Sequence, residues 1–190
     1  MGLRKEAQEQ TPRSRFWMQN VRPMEIKWPL DGNSNGKEKR QFMKNNGEAR
    51  RQKLLVNNTN LVLLRRFSAK EQRRRLTAAP LLKGQLRSAL IGLENHLNYI
   101  YRLRSSLGDV EALGLSALLN SSLLDRYFRI SDGNTQVSAT ELRAMPFPGL
   151  SVLMELGKRI KRLCRVPTLE EIDAVVKETL GVNKEILWHE

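Results

Sequence analysis

The chain holds one cysteine, two histidines and few aromatic residues (6%), and none of its apolar runs approaches the length of a membrane helix. Each shortage excludes something. A lone Cys164 forms neither an intrachain disulfide nor a thiolate zinc cluster; between Leu163 and Arg165 in an expected helix, it reads as a small semi-buried residue suited to a reducing cytoplasm. His96 and His189 build no metal site without carboxylate help. Without ~20 consecutive apolar residues no membrane span is expected. The opening MGLRKEAQEQTPRSR lacks the apolar segment of a secretory signal, and Glu6 stands where a myristoylation pattern needs Ser or Thr. A cytoplasmic protein without a membrane partner is expected.

The motifs of common chemistries are missing too. There is no GxGxxG and no GxxxxGK[ST], so no glycine-rich phosphate cradle. HExxH and GxSxG are absent, and no Cys–His pair has a setting for nucleophilic catalysis. Glu25-Ile26-Lys27 has the E-x-K form of some metal-dependent nucleases but lacks a preceding acid, and reads as a solvated strand face. No catalytic, cofactor-binding or metal-binding residue is identified.

What is present is positive charge, unevenly placed. Residues 1–105 carry 23 Lys and Arg against 8 Asp and Glu, whereas 106–190 carry 10 against 12. The whole excess of the +13 chain therefore lies in its first 105 residues. Such a one-sided field attracts polyanions through phosphate contacts and counterion release. No basic amphipathic helix favours a membrane surface, so nucleic acid is the expected partner.

The 190 residues suit one domain, or one domain with an appendage. Residues 1–14 are polar and basic and are expected to be disordered. RFWMQNV (15–21) and MEIKWPL (24–30) read as strands on either side of Arg22-Pro23, with Trp17 and Trp28 as core residues. DGNSNGKEKRQ (31–41) reads as a polar turn and GEARRQK (47–53) as a helical turn or loop. NLVLLRRFS (60–68) is the clearest strand, with RRRLTAAPLL (73–82) as its hairpin partner across SAKEQ. LIGLENHLNYIYRL (90–103) fits strand or helix; Tyr99 and Tyr101 favour a strand, and Asn95, His96 and Asn98 read as structural.

Near residue 105 the pattern turns helical. Residues 108–131 predict one deeply packed helix with Asp109 as N-cap. Ser138-Ala139-Thr140-Glu141 is a capping box that predicts a helical turn, after which Pro146 and Pro148 hold the chain extended. Leu153, Leu156, Ile160 and Leu163 stripe a helix over 150–164. Thr168, Glu171 and Gly181 bound another over 168–181.

The candidate binding residues follow from the charge. Arg65, Arg66, Lys70, Arg73, Arg74 and Arg75 lie within eleven residues, with Phe67 beside them. Arginine suits bidentate contact with phosphate or with guanine O6 and N7. The structural alternative is a solvated hairpin tip. Lys37, Lys39 and Arg40 form a second, looser patch, and Asn134 and Gln136 are candidate loop readers.

LLNSSLLDRYFRISDGNTQVSATELRAMPFPGL, with WMQNVRPMEIKWPL, LVLLRRFSAKEQRRRL and GLENHLNYIYR upstream, resembles the C-terminal target-recognition region of adenine-specific (N6) DNA methyltransferases of restriction–modification systems. The resemblance spans residues 15–165. It implies an α+β fold in which a mainly antiparallel sheet from residues 15–105 carries a central helix, 109–129. Residues 15–149 would be a DNA target-recognition domain. Residues 150–190 would be a helical appendage that docks on a methylase domain or subunit. Double-stranded DNA is the implied partner, and S-adenosylmethionine the cofactor of the methylase. That methylase carries a glycine-rich cofactor motif and an Asn/Asp-Pro-Pro-Tyr/Phe motif, and here no two prolines are adjacent. Methyl transfer is not expected from this chain alone. Met1 opening directly into recognition-like sequence suggests a fragment or truncated product. The alternatives are a generic basic RNA- or DNA-binding protein, or a specificity or interaction subunit acting with a separate methylase.

Overall fold

The computed structural model describes residues 13–30, 41–43, 55–131 and 136–182. Residues 1–12, 31–40 of the expected 31–41 turn, the 47–53 segment and the last eight residues lie outside these.

The strongest strand signal sits at the centre. β6 (Leu61–Arg65) is flanked by β7 (Ala78–Leu81) and β9 (Leu97–Ile100), both antiparallel to it. Its first four residues are buried on both faces, which is why LVLL reads as a continuous apolar run rather than an alternating one. Leu61 and Leu63 enter one core, with Phe16, Ile91 and Leu93; Val62 and Leu64 enter the other, with Leu118, Phe128 and Leu156. The three strands are thus a middle layer.

On one side of it lies a four-stranded sheet in the order β4-β1-β8-β5, formed by Phe42–Met43, Arg13–Phe16, Leu90–Leu93 and Leu55–Asn57. β1 and β8 are parallel, with Arg15 opposite Gly92, whereas the neighbouring pairs are antiparallel. Distant strands of this kind can pair in parallel because the long intervening chain supplies the crossover. A two-stranded ribbon, β2 (Val21–Arg22) and β3 (Glu25–Ile26), completes the strands of the described residues. Trp28 packs between Phe16 and Phe42, with ring centroids at 6.1 and 5.6 Å. Arg15 lies over the ring of Trp17 at 4.2 Å.

The other face carries helices. The expected single helix over 108–131 is two, α1 (Asp109–Leu119) and α2 (Ser122–Ser131). The break falls at Asn120 because its amide serves the sheet: Oδ1 accepts from Ala78 N at 3.1 Å and Nδ2 donates to Ala78 O at 2.7 Å. Ala78 can accept this because β7 is an edge strand, and its carbonyl takes a second hydrogen bond from Met24 N at 2.9 Å. Arg65 N bonds Thr77 O, so alternation turns Ala78 and Pro80 away from β6. Pro80 therefore costs the ladder no hydrogen bond. The start of α1 also differs from expectation. Gly108 is the N-cap residue, and its N–H is held by the Glu111 carboxylate at 3.3 Å.

α3 (Ala139–Ala144), α4 (Leu150–Arg162) and α5 (Leu169–Leu180) follow. Both expected capping boxes close: Ser138 with Glu141 and Thr168 with Glu171. Gly181 ends α5 at φ 65°. Where a helical appendage was expected, α4 packs directly on α1. A Cβ on Gly114 of α1 would lie 2.0 Å from Leu153 O, and one on Gly157 of α4 would lie 1.8 Å from Val110 O. Reciprocal glycines bring the two backbones into contact, and Leu153, Leu156, Ile160, Ile172 and Val176 join the same core as Val62 and Leu118. Cys164 is exposed at φ 53°, beyond the end of α4, rather than semi-buried within a helix.

Candidate nucleic-acid interface

The basic cluster lies on the twelve-residue connection 66–77 between β6 and β7. It is longer than the expected loop because β7 begins at Ala78, not near Arg73. Asp125 of α2 draws the preceding segment off the sheet: its Oδ1 accepts from Arg75 N at 2.5 Å and Leu76 N at 3.3 Å. Asp125 Oδ2 also accepts from Arg129 Nε at 2.7 Å. Arg129 in turn donates to the carbonyls of Lys70 (2.9 Å) and Gln72 (2.5 Å). One buried carboxylate and one arginine thus clamp the connection at four residues, Lys70, Gln72, Arg75 and Leu76.

Most of the candidate arginines are engaged by the fold. Arg75 is 3% exposed, its guanidinium 4.9 Å from the centre of the Phe128 ring, so it reaches no external phosphate. Arg74 pairs with Asp173 of α5 at 2.5 Å, with side chains 14% and 19% exposed; Asp173 also accepts from Ser122 N at the start of α2. Arg73 pairs with Glu170 in the open, 65% and 64% exposed. Arg65 is half-buried and donates from Nε to Val21 O at 2.8 Å. Burial, and secondarily the charge of Arg22, lower its pKa. The Arg73 hydrogen bond likewise holds the Glu170 carboxyl below its usual value. Lys70 is exposed. Lys37, Lys39, Arg40 and Asn134 lie outside the described residues.

Arg66 and Gln136, seventy residues apart, are brought together. Phe67 and Gln136 form an antiparallel bridge, and Val137 N donates to Arg66 O at 2.7 Å. Because a guanidinium has donors only, the Gln136 amide turns its carbonyl to it: Oε1 accepts from Arg66 Nε at 2.6 Å and Nη2 at 2.8 Å. Arg66 Nη1 donates to Asn95 O at 3.2 Å. Phe67 and His96 meet edge to face at 5.1 Å, both exposed, and His96 pairs with Glu94. Asn98 Nδ2 holds Val137 O at 2.7 Å.

Beyond this contact lies a feature the sequence reading did not single out as a site. Tyr99 and Tyr101, two apart on and just after β9, project to one face, with their rings 5.4 Å apart and both exposed. They border a groove of about 510 Å³ that Phe147 and Arg143 line from the other side. The alternation Tyr-Ile-Tyr was the available signal; Arg143, inside the capping-box helix, gave none. Among the described residues no three His, Cys, Asp or Glu side chains gather as metal ligands would, and no helix is long and apolar enough to cross a membrane.

The chain is 40% identical to the Type II methyltransferase M.BsuBI of Bacillus subtilis over 129 residues, 68% of this chain and 26% of that protein. It is 37% identical to the Type II methyltransferase M.PstI of Providencia stuartii over 107 residues, 56% of this chain and 21% of that protein. The chain is thus related in sequence to Type II methyltransferases, and it spans about a quarter of the length of the curated relatives it matches. No family model matches. No solved structure matches.

Proposed function

We propose that this chain is the DNA target-recognition segment of a restriction–modification N6-adenine methyltransferase. The similarity to two Type II methyltransferases over about a quarter of their length carries this reading. The charge distribution supports it, since all of the positive excess lies in residues 1–105. Lysines and arginines would place the segment on phosphates, and a few side chains would read base edges in the major groove. Lys70, exposed on the connection, and Arg143, beside the aromatic groove, suit the first task. The Arg66–Gln136 contact suits the second.

On this reading the methyl donor, S-adenosylmethionine, belongs to the methylase segment rather than to this one. Methyl transfer would need a catalytic segment supplied elsewhere, into which the target adenine is flipped.

The test is selection from a randomised duplex library at one fixed salt concentration, with sequencing of the retained DNA. Recognition predicts enrichment of one short sequence. Salt-sensitive retention of an unenriched pool would replace this reading with a generic basic nucleic-acid binder.

A further inference from the structure

The contact between Arg66 and Gln136 sets which end of the amide faces outward, and the inference drawn from it rests on the recognition reading above. Gln136 Oε1 accepts two hydrogen bonds from one guanidinium, at 2.6 and 2.8 Å. Its backbone is bridged to Phe67, and the next residue is held by Arg66 O and Asn98 Nδ2. Turning the amide over would set donors against donors, so its orientation is fixed by the arginine. What Gln136 presents outward is Nε2, the end of the amide turned away from Arg66. Beside it are the guanidinium hydrogens that Gln136 and Asn95 O leave unused. Both side chains are partly exposed.

A glutamine free at both ends matches adenine by accepting from N6 and donating to N7. Here the accepting end is committed to Arg66. The remaining edge only donates, which matches the two acceptors of guanine, N7 and O6, and opposes the exocyclic amino groups of adenine and cytosine. We propose that Arg66 presets Gln136 as a donor-only reader of a guanine in the major groove, with Gln136 the specificity-determining residue and Arg66 its positioning partner.

The experiment repeats the duplex selection with wild type, Gln136→Ala and Gln136→Glu. The wild-type site is expected to contain a guanine position with a preference of about tenfold, the lower end for a bidentate base contact. Gln136→Ala should flatten that position and leave the others unchanged. Gln136→Glu keeps the pairing with Arg66, so it should fold, yet it replaces the donors with acceptors and should turn the same position against guanine. Thermal melts of each variant separate loss of specificity from loss of fold. An enriched wild-type site in which Gln136→Glu alters no guanine position overturns the inference and leaves the recognition reading standing. An unenriched wild-type pool overturns both.

Discussion

Between Arg66 and Arg75 one connection carries five basic residues, and its two ends use them in opposite ways. At the far end, Arg73, Arg74 and Arg75 face the helical layer, where Glu170, Asp173, Asp125 and Phe128 receive them or their backbone. At the near end, Arg66 meets a neutral amide that leaves its charge uncancelled, and Lys70 is exposed. A run of arginines is therefore not one patch. Acidic side chains convert part of it into an anchor, and the anchor holds the remainder in place.

The largest loss is expected at Asp125. Asp125→Ala would strand the N–H groups of Arg75 and Leu76 and release Arg129, at roughly 3–5 kcal/mol; a denaturant titration should show the loss. Gly157→Ala attacks the same end indirectly. A methyl driven into the Val110 carbonyl forces α4 away from α1, at about 3 kcal/mol in a melt. Its effect on base preference should be no larger than its effect on folding.

Two neighbours sharpen the contrast within the anchored end. Arg74→Ala should cost roughly 1.5 kcal/mol, because a mostly buried carboxylate loses its charged partner. Arg73→Ala should leave the melting temperature unchanged, since an exposed pair is screened by solvent. Lys70→Ala should reverse the pattern, with unchanged stability and a salt slope of DNA binding reduced by about one.

The smallest expected effect is acidic. Glu171 is held at about 2, against an ordinary 4.5, first by the Arg165 guanidinium and then by the Thr168 N–H. The folded value lies below the unfolded one, so this contribution is complete above about 4.5 and disappears as the pH falls through about 2. Glu170, lowered by Arg73, moves in the same direction. Amide exchange at the start of α5 should rise over that window, while exchange of Val137 N–H, bonded to Arg66 O, should not follow it.

Several elements were legible because their cause is local. Ser138 with Glu141 and Thr168 with Glu171 close their boxes between residues three apart, and Gly181 supplies the left-handed cap. β6 was legible as an apolar run, and its antiparallel pairing with the strand ending at Leu81 followed from order along the chain. The break at Asn120 was not, because it depends on an edge carbonyl and N–H forty-two residues earlier. Nor was the role of Gly114 and Gly157, which in a lone helix are only weak positions. In the candidate site, Arg66 and Gln136 were both singled out, but nothing linked them. Arg73, Arg74 and Arg75 were singled out as DNA contacts; the fold holds Arg74 and Arg75 against the helical layer and leaves Arg73 paired with Glu170 at the exposed surface.

Local sequence determined where positive charge accumulates, where α3 and α5 begin and which strand lies deepest. Those depend on composition, on neighbours a few residues apart and on apolar runs. Tertiary structure alone decided which charges are cancelled and which way a single amide points. Both depend on partners that folding brings in from far along the chain: Asp125 and Asp173 beneath one end of the connection, Gln136 beside the other.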